Sequence, residues 1–133
     1  MLDHVSLGVS NFEQSKKFYD QALRPLGIER LYAEGPTAAG YGADRRAFFW
    51  IGQKNASQTG SHIAFVAHDR ETVDRFHQAA LAAGGRDNGQ PGLRPHYHEN
   101  YYGAFVFDPD GNNIEAVFHG EARRSAPSVK VTF

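Results

Sequence analysis

The feature that most constrains the fold is a duplicated pattern in which matching residues lie 58 positions apart. A histidine, His4 in the first copy and His62 in the second, opens a short segment of alternating residues in each copy. Four further pairs keep the same offset: Phe18 with Phe76, Ala22 with Ala80, Leu23 with Leu81, and Gly27 with Gly85. A repeat of this kind indicates a duplicated supersecondary unit whose copies bury their apolar faces against each other.

Length and composition narrow the class of protein. The 133 residues suit one ordinary domain, or two packed half-domains of about 60 residues each. An apolar content of 41% and a net charge of -1 indicate a globular protein without a broad basic surface for nucleic acid or anionic membrane. The absence of cysteine excludes disulfides and thiolate chemistry. There is neither a membrane-length apolar run nor a signal-peptide pattern, so we expect a cytoplasmic protein.

The first module is predicted to contain a strand, a helix and three further strands. Ser10 and Glu13 have the spacing of a capping box, which predicts that the helix begins at Asn11. The apolar stripe of this helix ends at Pro25 and Gly27. The predicted strands are 2–9, 28–33, 39–43 and 46–52.

The second module is predicted to repeat that order. Asp69 can cap a helix that Gly84 and Gly85 end. A longer loop of Gly, Pro, Arg and Asn follows, and Asp108-Pro109-Asp110-Gly111 predicts the turn of a hairpin. The predicted strands are 61–67, 102–107 and 113–119, with a small edge strand at 129–131.

Strand parity gives three predicted strands one potential metal ligand each on the face opposite the helices. These residues are His4, His62 and Glu115. Two imidazoles and a carboxylate form a facial set that suits Fe, Zn, Ni, Co or Mn as divalent ions and leaves positions for substrate. The alternative is that each histidine is solvated or hydrogen-bonded, and the repeat symmetry favours the ligand interpretation for the pair.

A dense run of polar rings precedes the last hairpin. His96 or His98 is a candidate general acid or base, since imidazole titrates near neutral pH. Tyr101 or Tyr102 is a candidate hydrogen-bond donor to a developing oxyanion. The alternative is a polar rim in which aromatic rings cover the sheet edge.

The remaining histidines and the basic residues receive simpler interpretations. His68, His77 and His119 are predicted to be ordinary surface or helix residues, and His77 aligns with Tyr19, which indicates a shared packing position. Six basic residues are candidates for holding an anionic substrate, although solvated charges are the preferred interpretation: Arg45, Arg46, Lys54, Arg94, Arg123 and Arg124.

The pattern resembles the vicinal oxygen chelate superfamily, which includes glyoxalase I, extradiol dioxygenases and bleomycin-resistance proteins. The resemblance covers about residues 1–119 and depends on His4 to Val9, Ser15 to Tyr19, His62 to Phe65 and Phe107 to Glu115, the last being the most specific. It implies an α+β fold in which two βαβββ modules form a cupped mixed β-sheet with helices on the outer face.

The resemblance also implies how the chain is organised. A single glyoxalase-like domain spans residues 1–119, with module 1 at about 1–55 and module 2 at about 60–119, and the C-terminal tail follows at 120–133. Such proteins commonly pair, so the resemblance implies a homodimer.

Carried over by position, His4, His62 and Glu115 fall on the metal positions of the first, fifth and eighth strands. Glyoxalase-type members have a fourth ligand on the fourth strand, where this chain has Trp50 or a neighbour. Because an indole offers only an N–H donor, it cannot replace a carboxylate ligand. The three-ligand set is therefore closer to that of the extradiol dioxygenases.

Two classes of function follow from the resemblance. The first is an enzyme with a divalent metal of unknown identity and a small vicinal-oxygen substrate, with isomerase, lyase or extradiol-type dioxygenase chemistry. The second is a non-catalytic small-molecule-binding protein of the bleomycin-resistance type. Trp50 and Phe48 suit an aromatic substrate-binding cleft in either case, and plain packing is the alternative interpretation of Trp50.

Overall fold

The computed structural model describes residues 2–54 and 59–121. Two modules follow one another, each with a strand, a helix and three strands. The elements are β1 Val5–Val9, α1 Phe12–Ala22, a 3₁₀ turn Arg24–Leu26, β2 Glu29–Glu34, β3 Ala38–Ala43, β4 Arg46–Gln53, β5 His62–Val66, α2 Arg70–Ala82, β6 Arg86–Leu93, β7 Tyr102–Phe107 and β8 Asn113–Phe118. The strand predicted at 129–131 lies outside the described residues.

The strands form two four-stranded mixed sheets with the same topology. Sheet A has the order β1-β4-β3-β2 and sheet B has the order β5-β8-β7-β6. In each sheet the first strand runs parallel to the last, and the other neighbours are antiparallel. The predicted α+β fold of two βαβββ modules is confirmed.

The helix starts show one correction and one confirmation. Asn11, and not Ser10, caps α1, because its side-chain oxygen accepts the backbone N–H of Gln14 at 3.1 Å. Ser10 instead donates its hydroxyl to Asp110 in the other module at 2.5 Å. Asp69 caps α2 as predicted, accepting the N–H of Thr72 at 2.7 Å.

The two modules share one hydrophobic core between their helices. The repeated residues Phe18 and Phe76 are both fully buried in it, while Leu81, unlike Leu23, is partly exposed. Phe49 of β4 and Phe65 of β5 contact edge to face, with ring centroids 5.4 Å apart. This core covers one face of each sheet, and the opposite faces are called the open faces below.

The aligned residues Tyr19 and His77 both act as buried anchors. The Tyr19 hydroxyl donates to Asp108 at 2.5 Å, and this contact ties α1 of module 1 to the last hairpin of module 2. The His77 Nε2 lies 2.9 Å from a carboxylate oxygen of Asp87. Burial and the nearby Asp108 carboxylate raise the pKa of Tyr19 well above its usual value. The shared packing position therefore pairs a buried polar ring with a carboxylate in both copies, across the modules for Tyr19 and within module 2 for His77.

β6 is the element that the sequence pattern did not predict. Its residues, from Arg86 to Leu93, include Gly89 and Pro91, and its pairing with β7 is irregular at two points. Glycine and proline are tolerated here because β6 is an edge strand. None of the helices in the described part of the chain is long and apolar enough to cross a membrane.

Candidate active site

One row of cross-strand neighbours crosses the open face of sheet B. It contains Ala64, Glu115, Phe105 and Gly89, on β5, β8, β7 and β6 in that spatial order. Residues directly opposite each other on paired strands point to the same face of a sheet. Glu115 and Phe105 are therefore side by side on the open face.

The matching row of sheet A contains Ser6, Trp50, Gly40 and Tyr32. Ser6 and Ala64 differ by the repeat offset of 58, as do His4 and His62. Trp50 pairs with Ser6 as Glu115 pairs with Ala64, so the register makes Trp50 the counterpart of Glu115.

Glu115 is a deeply buried acid with two polar partners. Its side chain is 1% exposed. One carboxylate oxygen lies 2.8 Å from His62 Nε2, and the other accepts a hydrogen bond from the Tyr101 hydroxyl. A buried carboxylate costs several kcal/mol unless it is paired or hydrogen-bonded, and these two contacts offset that cost.

Tyr101 and Tyr102 diverge to opposite faces of the sheet. Burial, together with the hydrogen bond and negative charge of Glu115, raises the pKa of Tyr101, so its phenol stays a donor at neutral pH. The Tyr102 hydroxyl instead donates to Asp74 of α2 at 2.7 Å. Of the two predicted tyrosines, the structure therefore brings Tyr101 to Glu115 and Tyr102 to the helix.

A cluster of rings surrounds Tyr101. His98 Nε2 lies 2.8 Å from His119 Nδ1, and the two rings are nearly parallel. Tyr101 presents its ring edge-on to both imidazoles. His96 is exposed and contacts Tyr97, with centroids 4.3 Å apart. The pairing of His119 was missed, although strand parity places it on the same face as Glu115.

His4 lies in a separate network. Its Nδ1 is 2.7 Å from Asp3, whose backbone carbonyl accepts a hydrogen bond from Arg46 at 2.7 Å. The hydrogen bond with His4 lowers the pKa of Asp3. Such a bond fixes the tautomer of an imidazole and leaves Nε2 available to a ligand. The His4 side chain is 56% exposed.

His62 and Glu115 are of the types that bind a divalent ion, but they are two ligands where three are predicted. His62 Nε2 and Glu115 Oε2, 2.8 Å apart, have about the separation of neighbouring ligands on one ion with bonds near 2.0–2.2 Å. Across residues 2–54 and 59–121, however, no three His, Cys, Asp or Glu side chains gather as a metal site. One chain therefore brings together two of the predicted ligands, and the assignment of His4, His62 and Glu115 to a metal stays a prediction.

The two predicted substrate-binding aromatics have different surroundings. Phe48 is partly buried against the hydrophobic core. Trp50 lies nearly parallel to Tyr32, with centroids 5.9 Å apart and an angle of 15°. A Cβ at Gly40 would lie 2.8 Å from the indole, so glycine lets Trp50 lie flat on the sheet. Sequence reasoning missed Tyr32, whose pairing with Gly40 depends on strand register. Substrate binding at Trp50 and Phe48 stays a prediction.

Comparison with known proteins identifies the family. A model of the Glyoxalase/Bleomycin resistance protein/Dioxygenase superfamily matches residues 1–116. The chain belongs to this superfamily. Its members generally use divalent metals and include lyases and dioxygenases.

Solved structures agree with this membership. A glyoxalase/bleomycin resistance protein from Albidiferax ferrireducens T118 is 35% identical, with 88% of this chain and 97% of that chain covered and a TM-score of 0.76. A putative glyoxalase from Bacillus halodurans is 26% identical, with 88% and 94% covered and a TM-score of 0.67. Lactoylglutathione lyase from Agrobacterium tumefaciens shares the fold at 15% identity, with 88% and 92% covered and a TM-score of 0.65. A search of curated proteins finds no match.

Proposed function

We propose that this superfamily member is a metal-dependent enzyme acting on a small substrate with adjacent oxygen atoms, as a lyase, isomerase or extradiol-type dioxygenase. The observation that carries the proposal is the contact between the half-exposed His62 and the buried Glu115, whose ligand atoms lie 2.8 Å apart on an open sheet face. A carboxylate is costly to bury. The pair also consists of two of the three residues that the resemblance to the family assigns as metal ligands.

A second copy of the chain would complete each site. His4 immediately precedes β1 and His62 begins β5, and the strand orders place β1 and β5 at the edges of their sheets. Free strand edges favour pairing with another chain. In a twofold dimer, β1 of one copy beside β5 of the other would bring His4 toward the opposite Glu115, and symmetry would create two such sites.

The roles of the side chains follow from their contacts. When bound, a divalent ion stabilises negative charge on a substrate oxygen and orients the two adjacent oxygens. The Tyr101 hydroxyl is positioned to donate a hydrogen bond beside Glu115, and its raised pKa keeps the proton in place at neutral pH. His98 and His119 can accept a proton from one neighbour and donate one to another, since each imidazole has two nitrogens.

Cobalt(II) titration of metal-free protein tests the proposal. Glu115→Gln and His4→Ala are each expected to weaken Co(II) binding by about 100-fold or more, beyond the 10–100-fold typical of losing an outer-shell partner. His68→Ala is the matched control, because His68 is an exposed histidine in the turn between β5 and α2. Unchanged affinity in both site variants would contradict the proposal.

Mixing the two variants tests the shared site. A mixed dimer of His4→Ala and Glu115→Gln chains combines both defects in one site and leaves the other site with a full ligand set. Mixing is therefore expected to restore one Co(II) site per mixed dimer. Co(II) titration counts the restored sites, and analytical ultracentrifugation gives the mass of the dimer. Full loss in a confirmed mixed dimer would contradict sharing between copies.

The second candidate function is binding without turnover. It is favoured by the nearly parallel rings of the partly exposed Trp50 and the exposed Tyr32, an arrangement that suits a planar ligand. Metal-independent quenching of the fluorescence of Trp50, the one tryptophan in the sequence, would support it. Because binding of this type needs no ion, His4→Ala would then leave ligand affinity unchanged.

A further inference from the structure

Arg94 is a half-buried cation held on the open face of sheet B. It follows β6, and its backbone N–H donates to the Tyr101 carbonyl at 2.7 Å. Its side chain turns back over the sheet, where the guanidinium lies 5.4 Å from the centroid of the Phe105 ring. One Nη donates to the Gln90 carbonyl at 2.7 Å. The guanidinium is therefore fixed by a ring and a carbonyl.

Two glycines make the space that this guanidinium occupies. A Cβ at Gly89 would lie 3.3 Å from Arg94 Nη2, and a Cβ at Gly92 would lie 3.1 Å from Nη1. Both distances are shorter than ordinary van der Waals contact, so a side chain at either position would press on the guanidinium. The absence of side chains at Gly89 and Gly92 explains how a long basic side chain can lie down on the sheet.

Arg94 also lacks a carboxylate partner within the described part of the chain. Arg30 and Arg46 form ion pairs with Asp20 and Asp3 at 3.2 and 3.5 Å, whereas no acid among residues 2–54 and 59–121 pairs with Arg94. A guanidinium carries five N–H donors, and the Gln90 carbonyl uses one nitrogen. A fixed cation with unused donors is preorganised for an anion, since little side-chain freedom remains to be lost on binding.

The position of Arg94 relates it to the proposed reaction centre. Phe105, beneath the guanidinium, is paired directly with Glu115, and Gly89 is paired with Phe105. Gly89 and Glu115 are thus two strand spacings apart, roughly 10 Å.

We propose that Arg94 binds a carboxylate of the substrate, so that the site takes small carboxylic acids whose reacting oxygens lie at the other end, near Glu115. The planar fork of a guanidinium matches a carboxylate with two parallel hydrogen bonds. The identity of the reacting end rests on the proposed function, whereas the carboxylate site is a property of Arg94 and the groups that hold it in place.

Titration of metal-free protein with benzoate and with benzamide, its neutral analogue, tests the inference. Wild-type protein is expected to bind benzoate about tenfold more tightly or better, the size of one charge-assisted contact. Arg94→Gln removes this preference, and Arg94→Lys retains part of it, since lysine keeps the charge but not the fork. NMR shifts of the arginine Nε–H groups report the contact directly.

Arg70→Gln is the matched control. Arg70 stacks on Tyr102 at 5.0 Å, much as Arg94 stacks on Phe105, but Tyr102 points to the helix side of the sheet. This variant is expected to keep the full preference for benzoate. Equal affinities for the two probes in wild type, or an undiminished preference in Arg94→Gln, would overturn the inference.

The outcome is separable from that of the proposed function. The benzoate titration requires no metal, and the Co(II) titration requires no carboxylate. Loss of benzoate preference in Arg94→Gln without any Co(II) uptake by wild type supports the carboxylate site and refutes the metalloenzyme. Co(II) uptake without a preference for benzoate supports the metalloenzyme and refutes the carboxylate site.

Discussion

The two sheets share a topology and a buried face but differ on their open faces. In sheet A, Trp50 lies flat over Gly40 beside Tyr32, and the row is aromatic. In sheet B, the equivalent position holds Glu115, with His62 and Tyr101 bonded to it. The helix-facing residues fix the fold in both copies, so chemical groups were free to diverge where no core packing constrains them.

The largest expected effect tests whether the buried faces are equivalent. Phe18→Ala and Phe76→Ala should each lower the free energy of unfolding by about 3–5 kcal/mol, because each removes a fully buried ring at matching repeat positions. Urea denaturation measures both losses. A far smaller cost for one of them would show that the two modules contribute unequally to the core, and Tyr32→Ala, at an exposed ring, is the control.

A smaller effect is expected where the open faces differ. Gly40→Ala places a methyl group 2.8 Å from the indole of Trp50, so the ring must move away from the sheet. We expect a red shift of tryptophan fluorescence and a loss of about 1–3 kcal/mol on urea unfolding. Gly103→Ala, which crowds Tyr101 and Glu115 in sheet B, is the control and should leave the fluorescence unchanged. An unmoved emission maximum in Gly40→Ala would mean that the indole does not rest on that glycine.

The smallest expected effect separates the two anchors by pH. The folded pKa of Tyr19 is raised above 10.0, so its contribution to the free energy of unfolding is complete below pH 10. That contribution is lost as the pH rises through the folded pKa. The hydrogen bond from His77 lowers the pKa of Asp87 below 3.8. The contribution of Asp87 to the free energy of unfolding is therefore present above pH 3.8 and is lost as the pH falls through the folded pKa.

Two variants test which residue contributes to the loss of stability at each end of the pH range. Tyr19→Phe should reduce the loss of stability on the alkaline limb of the profile and leave the acid limb intact. Asp87→Asn should reduce the loss of stability on the acid limb alone. Thermal unfolding across the pH range measures both, and a change in the opposite limb for either variant would refute this assignment.

Much of the fold follows from local patterns in the sequence. Alternation, the Asp69 cap and the Asp108 to Gly111 turn each lie within a few residues, and the structure places their elements as predicted. β6 could not be predicted because its Gly89 and Pro91 disfavour strand, and only pairing with β7 makes it one. The cap of α1 shifted to Asn11 because Ser10 contacts Asp110, about 100 residues away in the sequence.

The site could be predicted in part. Parity selected Glu115 and His62, and the duplication supplied His4, but parity does not reveal that His4 bonds to Asp3 in a separate network. Tyr101 and Tyr102 were separable in principle, since neighbouring strand residues face opposite ways. Arg94 was predicted to be solvated, because the space that its guanidinium occupies depends on glycines brought together by irregular strand pairing.

The equivalence of Trp50 and Glu115 in strand register has an evolutionary consequence. Mutations at positions 32, 40 and 50 change the open face of sheet A without disturbing Glu115, because neither Tyr32 nor Trp50 is among its hydrogen-bond partners. Under the proposed function, descendants of such a chain can change the molecules they accept while inheriting the same reactive groups, because the duplication placed the two traits on separate sheets.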